Sequence, residues 1–77
     1  TRTVLCAIPE GTLAAGLTEI QADFPEIDIG SYPAFRQGRV STSLVLRGTD
    51  TAMLEIATDR VVELIVDQGG TAEVTAG

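Results

Sequence analysis

The run Ile27-Asp28-Ile29-Gly30-Ser31-Tyr32-Pro33-Ala34-Phe35 constrains the fold more than any other stretch of the sequence. Ile27 and Ile29 alternate with Asp28 and Gly30, the period of two that a strand with one buried face requires. Gly30 has no side chain and marks a bulge or a close backbone approach, and Pro33 has no N–H to give to a ladder. The pattern therefore predicts a strand over 26–32 whose pairing weakens at Pro33. Tyr32 and Phe35 flank that proline. Tyr32 is expected to cap the core at the strand end with the base of its ring, its hydroxyl turned towards a neighbouring domain.

The remaining segments arrange themselves around this strand. Residues 3–8 are apolar or β-branched, as in a central strand, and Pro9 closes it. Leu13, Leu17, Ile20 and Phe24 fall on one helical face, and Pro25 stops that helix by Asp23 or Phe24, because a residue before proline avoids the helical region. Gly16 inside it marks a close contact of helix with sheet. A turn at Arg36-Gln37-Gly38-Arg39, with Gly38 supplying positive φ, leads into a strand over 40–47. That strand places Val40, Thr42, Leu44 and Leu46 on one face and Ser41, Ser43, Val45 and Arg47 on the other. Thr49 or Asp50 caps a helix over 51–67 whose core stripe is Leu54, Ala57, Val61 and Leu64, extending towards Gln68, with Ile65 beside it, and Gly69-Gly70 ends it. Residues 71–76 read as a short edge strand with Ala72, Val74 and Ala76 on one side.

This β-α-β-β-α-(β) order predicts an α+β fold, a small ferredoxin-like (split βαβ) two-layer sandwich. Its sheet runs in spatial order 4-1-3-2, with both helices on one face and the first two strands parallel, the third between them. A KH-like mixed sheet is the alternative topology.

Length and charge narrow the function. A chain of 77 residues forms one small domain, near the lower limit at which a core holds without disulfides or metal. It opens on Thr1, which points to a piece of a larger protein. No apolar run reaches membrane-spanning length and no signal peptide is visible, so no membrane partner is expected. Eleven acidic residues stand against five arginines, for a net charge of −6. Each phosphate contact needs a cation, so no nucleic-acid partner is expected. Arg36 and Arg39 read as solvated hairpin residues, with contact to a phosphate or carboxylate as the less favoured reading. The single Cys6 can form no internal disulfide; it reads as a buried structural thiol in a reducing cytoplasm.

Catalytic chemistry is hard to assemble from this composition. Without His, Lys or Asn, the commonest general base, the Schiff-base amine and several oxyanion donors are missing. Asp23, Glu26 and Asp28 cluster around Pro25, but a solvated acidic corner explains them better than a divalent-metal site. No catalytic residue, metal site or cofactor is assigned. A copper chaperone would need Cys-X-X-Cys, acyl phosphatase chemistry an Asn, and an RNA-recognition sheet aromatics on its central strands.

Phe24-Pro25-Glu26, Ile29-Gly30-Ser31-Tyr32-Pro33 and Ser43-Leu44-Val45-Leu46-Arg47-Gly48-Thr49-Asp50 carry a family resemblance. Over residues 4–66 the chain resembles the small C-terminal subdomain of CinA-like (competence/damage-inducible protein A), molybdopterin-binding-like proteins, a family that includes the N-terminal half of some eukaryotic FAD synthases. The resemblance implies a non-catalytic accessory domain packed against a preceding α/β domain of its parent protein or forming a homodimer. It also implies that the parent acts on nucleotides, as an ADP-ribose or FAD pyrophosphatase, sometimes with a nicotinamide-nucleotide amidase. Gly30, Ser31, Tyr32 and Pro33 carry over only as the signature of the subdomain or as a domain contact. Family members have been likened to KH folds, but the Gly-X-X-Gly clamp that binds nucleic acid there is absent here. A stand-alone ferredoxin-like module binding a small metabolite or nucleotide on its sheet face is the alternative.

Overall fold

A computed structural model describes residues 1–36 and 38–76, and the side chains of all of these except residues 34–36, 40 and 76. The expected role of Gln37 in the turn lies outside the described residues, and those of Phe35 beside the proline and of Arg36 as a solvated hairpin residue, with the facing of Val40 and Ala76, lie outside the described side chains. The elements are β1 (Arg2–Cys6), α1 (Glu10–Asp23), β2 (Asp28–Arg36), β3 (Arg39–Arg47), α2 (Thr51–Asp67) and β4 (Ala72–Ala76). The strands form one sheet in the order β2-β3-β1-β4, and every neighbouring pair is antiparallel. This is the ferredoxin-like α+β sandwich. The KH-like alternative fails, because a mixed sheet needs a parallel neighbouring pair and the described strands form none.

Period-two alternation decides what each strand gives to the core. Val4 is paired with Leu44 on one side and with Val74 on the other, Cys6 with Thr42, and Ile29 with Leu46. Directly opposed residues share a face, so these all point to the helical side. Val4, Cys6, Thr42, Leu44 and Leu46 are buried there against Leu13 and Ile20 of α1 and Leu54, Ala57, Val61 and Ile65 of α2. Thr42 is accepted in this apolar layer because its Oγ1 donates to the Ile8 carbonyl at 2.6 Å.

Both ends of α2 are specified by side-chain and backbone chemistry. Asp50 is the N-cap, its Oδ1 accepting the Met53 N–H at 3.1 Å. At the other end Gly69 takes φ 84°, the Gly70 N–H donates to Ile65 O at 3.0 Å and the Gly69 N–H to Val66 O at 2.9 Å. This pair of bonds is the Schellman arrangement. Asp50→Ala is expected to lower stability by about 1 kcal/mol, read as a shift in the urea midpoint.

Several expectations need correction. β1 ends at Cys6, before Ile8 and Pro9, and β2 begins at Asp28 instead of 26. β2 does not stop at Tyr32: it runs through Pro33, which is paired with Thr42, to Arg36, which is paired with Arg39. β2 is an edge strand, and a proline there costs no ladder bond when its nitrogen faces away from the sheet. Gly16 marks an approach of helix to helix, not helix to sheet: a Cβ on Gly16 would lie 2.4 Å from Leu64 Cδ1 of α2. Leu64 is consequently a half-buried residue seated between the helices, on the flank of the core stripe, while Ile65 is fully buried and Gln68 is exposed.

Candidate functional site

Alternation along β2 divides the Gly30-Ser31-Tyr32-Pro33 signature between the two faces of the sheet. Ile29, Ser31 and Pro33 share the helical side, whereas Gly30 and Tyr32 share the side that neither helix covers. Ser31 Oγ donates to Glu10 Oε1 of α1 at 2.7 Å and so ties the edge strand to the start of the helix. Tyr32 is 51% exposed. Its ring lies back along the strand over Gly30, where a Cβ would meet Tyr32 Oη at 2.9 Å and Cε2 at 3.1 Å. The missing side chain of Gly30 is thus the seat of the ring. Tyr32 does not cap the core, because it stands on the opposite face from the core.

Across that uncovered face two rows run perpendicular to the strands. One is Tyr32, Ser43, Leu5 and Glu73; the other is Gly30, Val45, Thr3 and Thr75. Leu5 and Val45 are half-buried at its centre. The result is a flat surface with an apolar middle, one aromatic ring at the β2 end and hydroxyl groups between. In the isolated domain, Tyr32→Ala is expected to cost at most about 1 kcal/mol in a urea melt, whereas a buried aromatic would cost about 3–5 kcal/mol.

A concavity of about 490 Å³ lies between α1 and the β2 edge and is lined by Glu10, Leu17, Thr18, Gln21, Ile29 and Ser31 among others. Its size is that of a small-ligand site, but the Ser31, Thr18 and Gln21 side chains that line it are engaged within the protein. Ser31 donates to Glu10, and Thr18 Oγ1 donates to Ala14 O at 2.9 Å. Gln21 uses both ends of its amide: Nε2 donates to Phe24 O at 3.1 Å and to Ile27 O at 2.6 Å, and Oε1 accepts the Ile29 N–H at 3.2 Å. Gln21 had no assigned role in the sequence reading. The available signal was its place one turn after Leu17, on the helix flank nearest the chain reversal at Pro25.

The acidic corner disperses in three dimensions. Asp23 pairs with Arg60 at 3.1 Å, and that guanidinium lies 5.8 Å from the centre of the Phe24 ring. Asp28 faces Arg47 across the β2–β3 ladder. Among the described residues no group of three or more His, Cys, Asp or Glu converges to hold a metal ion. Cys6 is buried, its Sγ 3.9 Å from the Ile8 carbonyl, a packing position for a thiol. No described helix is long and apolar enough to cross a membrane.

The family model of the FAD synthase middle domain matches residues 1–72. The match falls on the FAD synthase side of the expected resemblance, not specifically on its CinA-like side. No curated protein matches the chain. Among solved structures, a de novo designed protein, Foldit4, is similar with a TM-score of 0.67 at 16% identity, over 96% of this chain and 89% of that one. At that identity the likeness shows the fold alone.

Proposed function

The chain belongs to the FAD synthase middle-domain family, and from this premise we propose that it is a non-catalytic accessory domain of a larger protein acting on flavin or related nucleotides. A middle domain has neighbours, and the observation that carries the reading is the sheet face that neither helix covers. Leu5 and Val45 form its apolar centre and Tyr32 its exposed ring. The occupant is the preceding α/β domain of the parent, of the molybdopterin-binding-like kind found in CinA-like proteins. An interface of this sort combines an apolar centre with a polar rim, and a tyrosine suits it because the ring buries area while the hydroxyl keeps a hydrogen bond. Catalysis belongs to that neighbour.

Nitration of Tyr32, the only tyrosine in this chain, tests the reading. Its modification is expected to slow about tenfold or more in the parent protein relative to the isolated domain, as burial beneath a neighbour requires. Equal rates in the two would remove the docking face. Incubating the isolated domain with FAD or ADP-ribose tests the second half: release of AMP would make it an enzyme and end the accessory reading.

A further inference from the structure

The two edges of the sheet are built differently. At the β2 edge the Gln21 amide holds Ile27 O and the Ile29 N–H, so these are groups that point away from β3. Alternation adds Ser31 and Pro33 to that outward row. Gln21 covers one end of the row and Pro33, with no N–H, interrupts the other, two devices that keep a further strand from pairing.

β4, the opposite edge, carries apolar side chains instead. Val74 faces the helical side beside Val4, yet it is 46% exposed, and Val66 of α2 is 57% exposed. Val62 and Val66 lie one turn apart on the flank of α2 away from the Gly16–Leu64 contact with α1. Glu55 shares that flank and reaches Arg2 at 3.3 Å, and Arg2 is the ladder partner of Ala76. This flank therefore overhangs β4, and Val62, Val66 and Val74 make an apolar strip along the open edge.

We propose that β4 pairs antiparallel with β4 of a second copy of this chain, about a two-fold axis at Val74. The strand itself selects this occupant. In Ala72-Glu73-Val74-Thr75-Ala76 the pattern of small, polar and apolar residues is the same in both directions. A two-fold axis at Val74 sets Val74 against its own counterpart, Glu73 against Thr75 and Ala72 against Ala76, with no like charges opposed. An axis at Glu73 would set two carboxylates face to face. Glu73 and Thr75 lie where the edge borders the sheet face assigned to the neighbouring domain, but Val74 stands on the helical side and Tyr32 at the far β2 end, so loss of the dimer in Val74→Glu and loss of Tyr32 protection from nitration separate dimer from docking.

Sedimentation of the chain from about 10 µM to about 1 mM, the range for a small interface, is expected to show a reversible monomer–dimer equilibrium. Because each copy carries a net charge of −6, added salt should tighten the dimer by screening the repulsion. Val74→Glu should weaken it at least about tenfold, since it places two carboxylates on the axis. Thr75→Lys, which puts an ammonium opposite Glu73 at both symmetric positions, should tighten it. Thr12→Lys, with the same charge change on α1, should do so less. A chain monomeric throughout overturns the proposal, as does a dimer lost in Tyr32→Glu but kept in Val74→Glu. If Val74→Glu fails to fold by circular dichroism, Thr75→Lys decides: no tightening beyond that of Thr12→Lys overturns the proposal.

Discussion

Leu44→Ala is expected to bring the domain close to unfolding. Leu44 has no exposed surface and sits on β3, between Ser31 of β2 and Val4 of β1. Its side chain lies beneath the helices, where truncation leaves a cavity that neighbours held on three strands cannot close. Such a change costs about 3–5 kcal/mol. A domain of this length has only about 4–12 kcal/mol in total, so most of its stability is at stake. The melting temperature should fall by about 15–30 °C. Leu64→Ala should cost about half as much, because Leu64 is half-buried and Gly16 offers it a seat instead of an enclosure. A loss under about 1 kcal/mol for Leu44→Ala in a urea melt would place the core elsewhere.

The elements legible in the sequence were those set by local chemistry. The apolar stripe from Leu54 to Ile65, the Asp50 cap and the Gly69-Gly70 stop are written within a few residues of one another, and α2 begins and ends where they place it. Sheet order followed from connection lengths and handedness, which leave few alternatives for β-α-β-β-α-β. What was misread depended on partners distant in sequence. Pro33 looks like a stop until β2 is known to be an edge. Gly16 looks like a helix–sheet contact until Leu64 is seen above it. The position of Tyr32 was legible in principle: with Ile27 and Ile29 facing the core, parity alone sends Tyr32 to the other face with Asp28 and Gly30. Its aromatic bulk outweighed that count in favour of a core role. Residues of the uncovered sheet face carry no signal of their own, because Leu5, Ser43 and Val45 are ordinary strand residues until alternation and register align them.

The second large effect is expected at Gln21, where one amide holds the chain reversal between α1 and β2. It donates to two carbonyls, Phe24 O and Ile27 O, and accepts from Ile29 N. Gln21→Ala removes all of these at a half-buried position, where water can replace them only in part, at a cost of about 1.5–3 kcal/mol. The Ile29 amide loses its acceptor and should exchange with solvent faster than the β3 amides, which remain in the ladder. Gln21→Glu separates the two roles of the amide. A carboxylate still accepts from Ile29 N but has no donor for the carbonyls, and its charge at neutral pH is set against them. It should therefore destabilise at least as much as Gln21→Ala while keeping part of the protection at Ile29. Residue-resolved hydrogen exchange on the two variants, with a urea melt of each, reads both effects. If Gln21→Ala left the melt and the Ile29 exchange rate unchanged, the loop would be held by the short Ile27 N–H to Phe24 O turn alone, and the edge of β2 would be guarded by Pro33 without help from the helix.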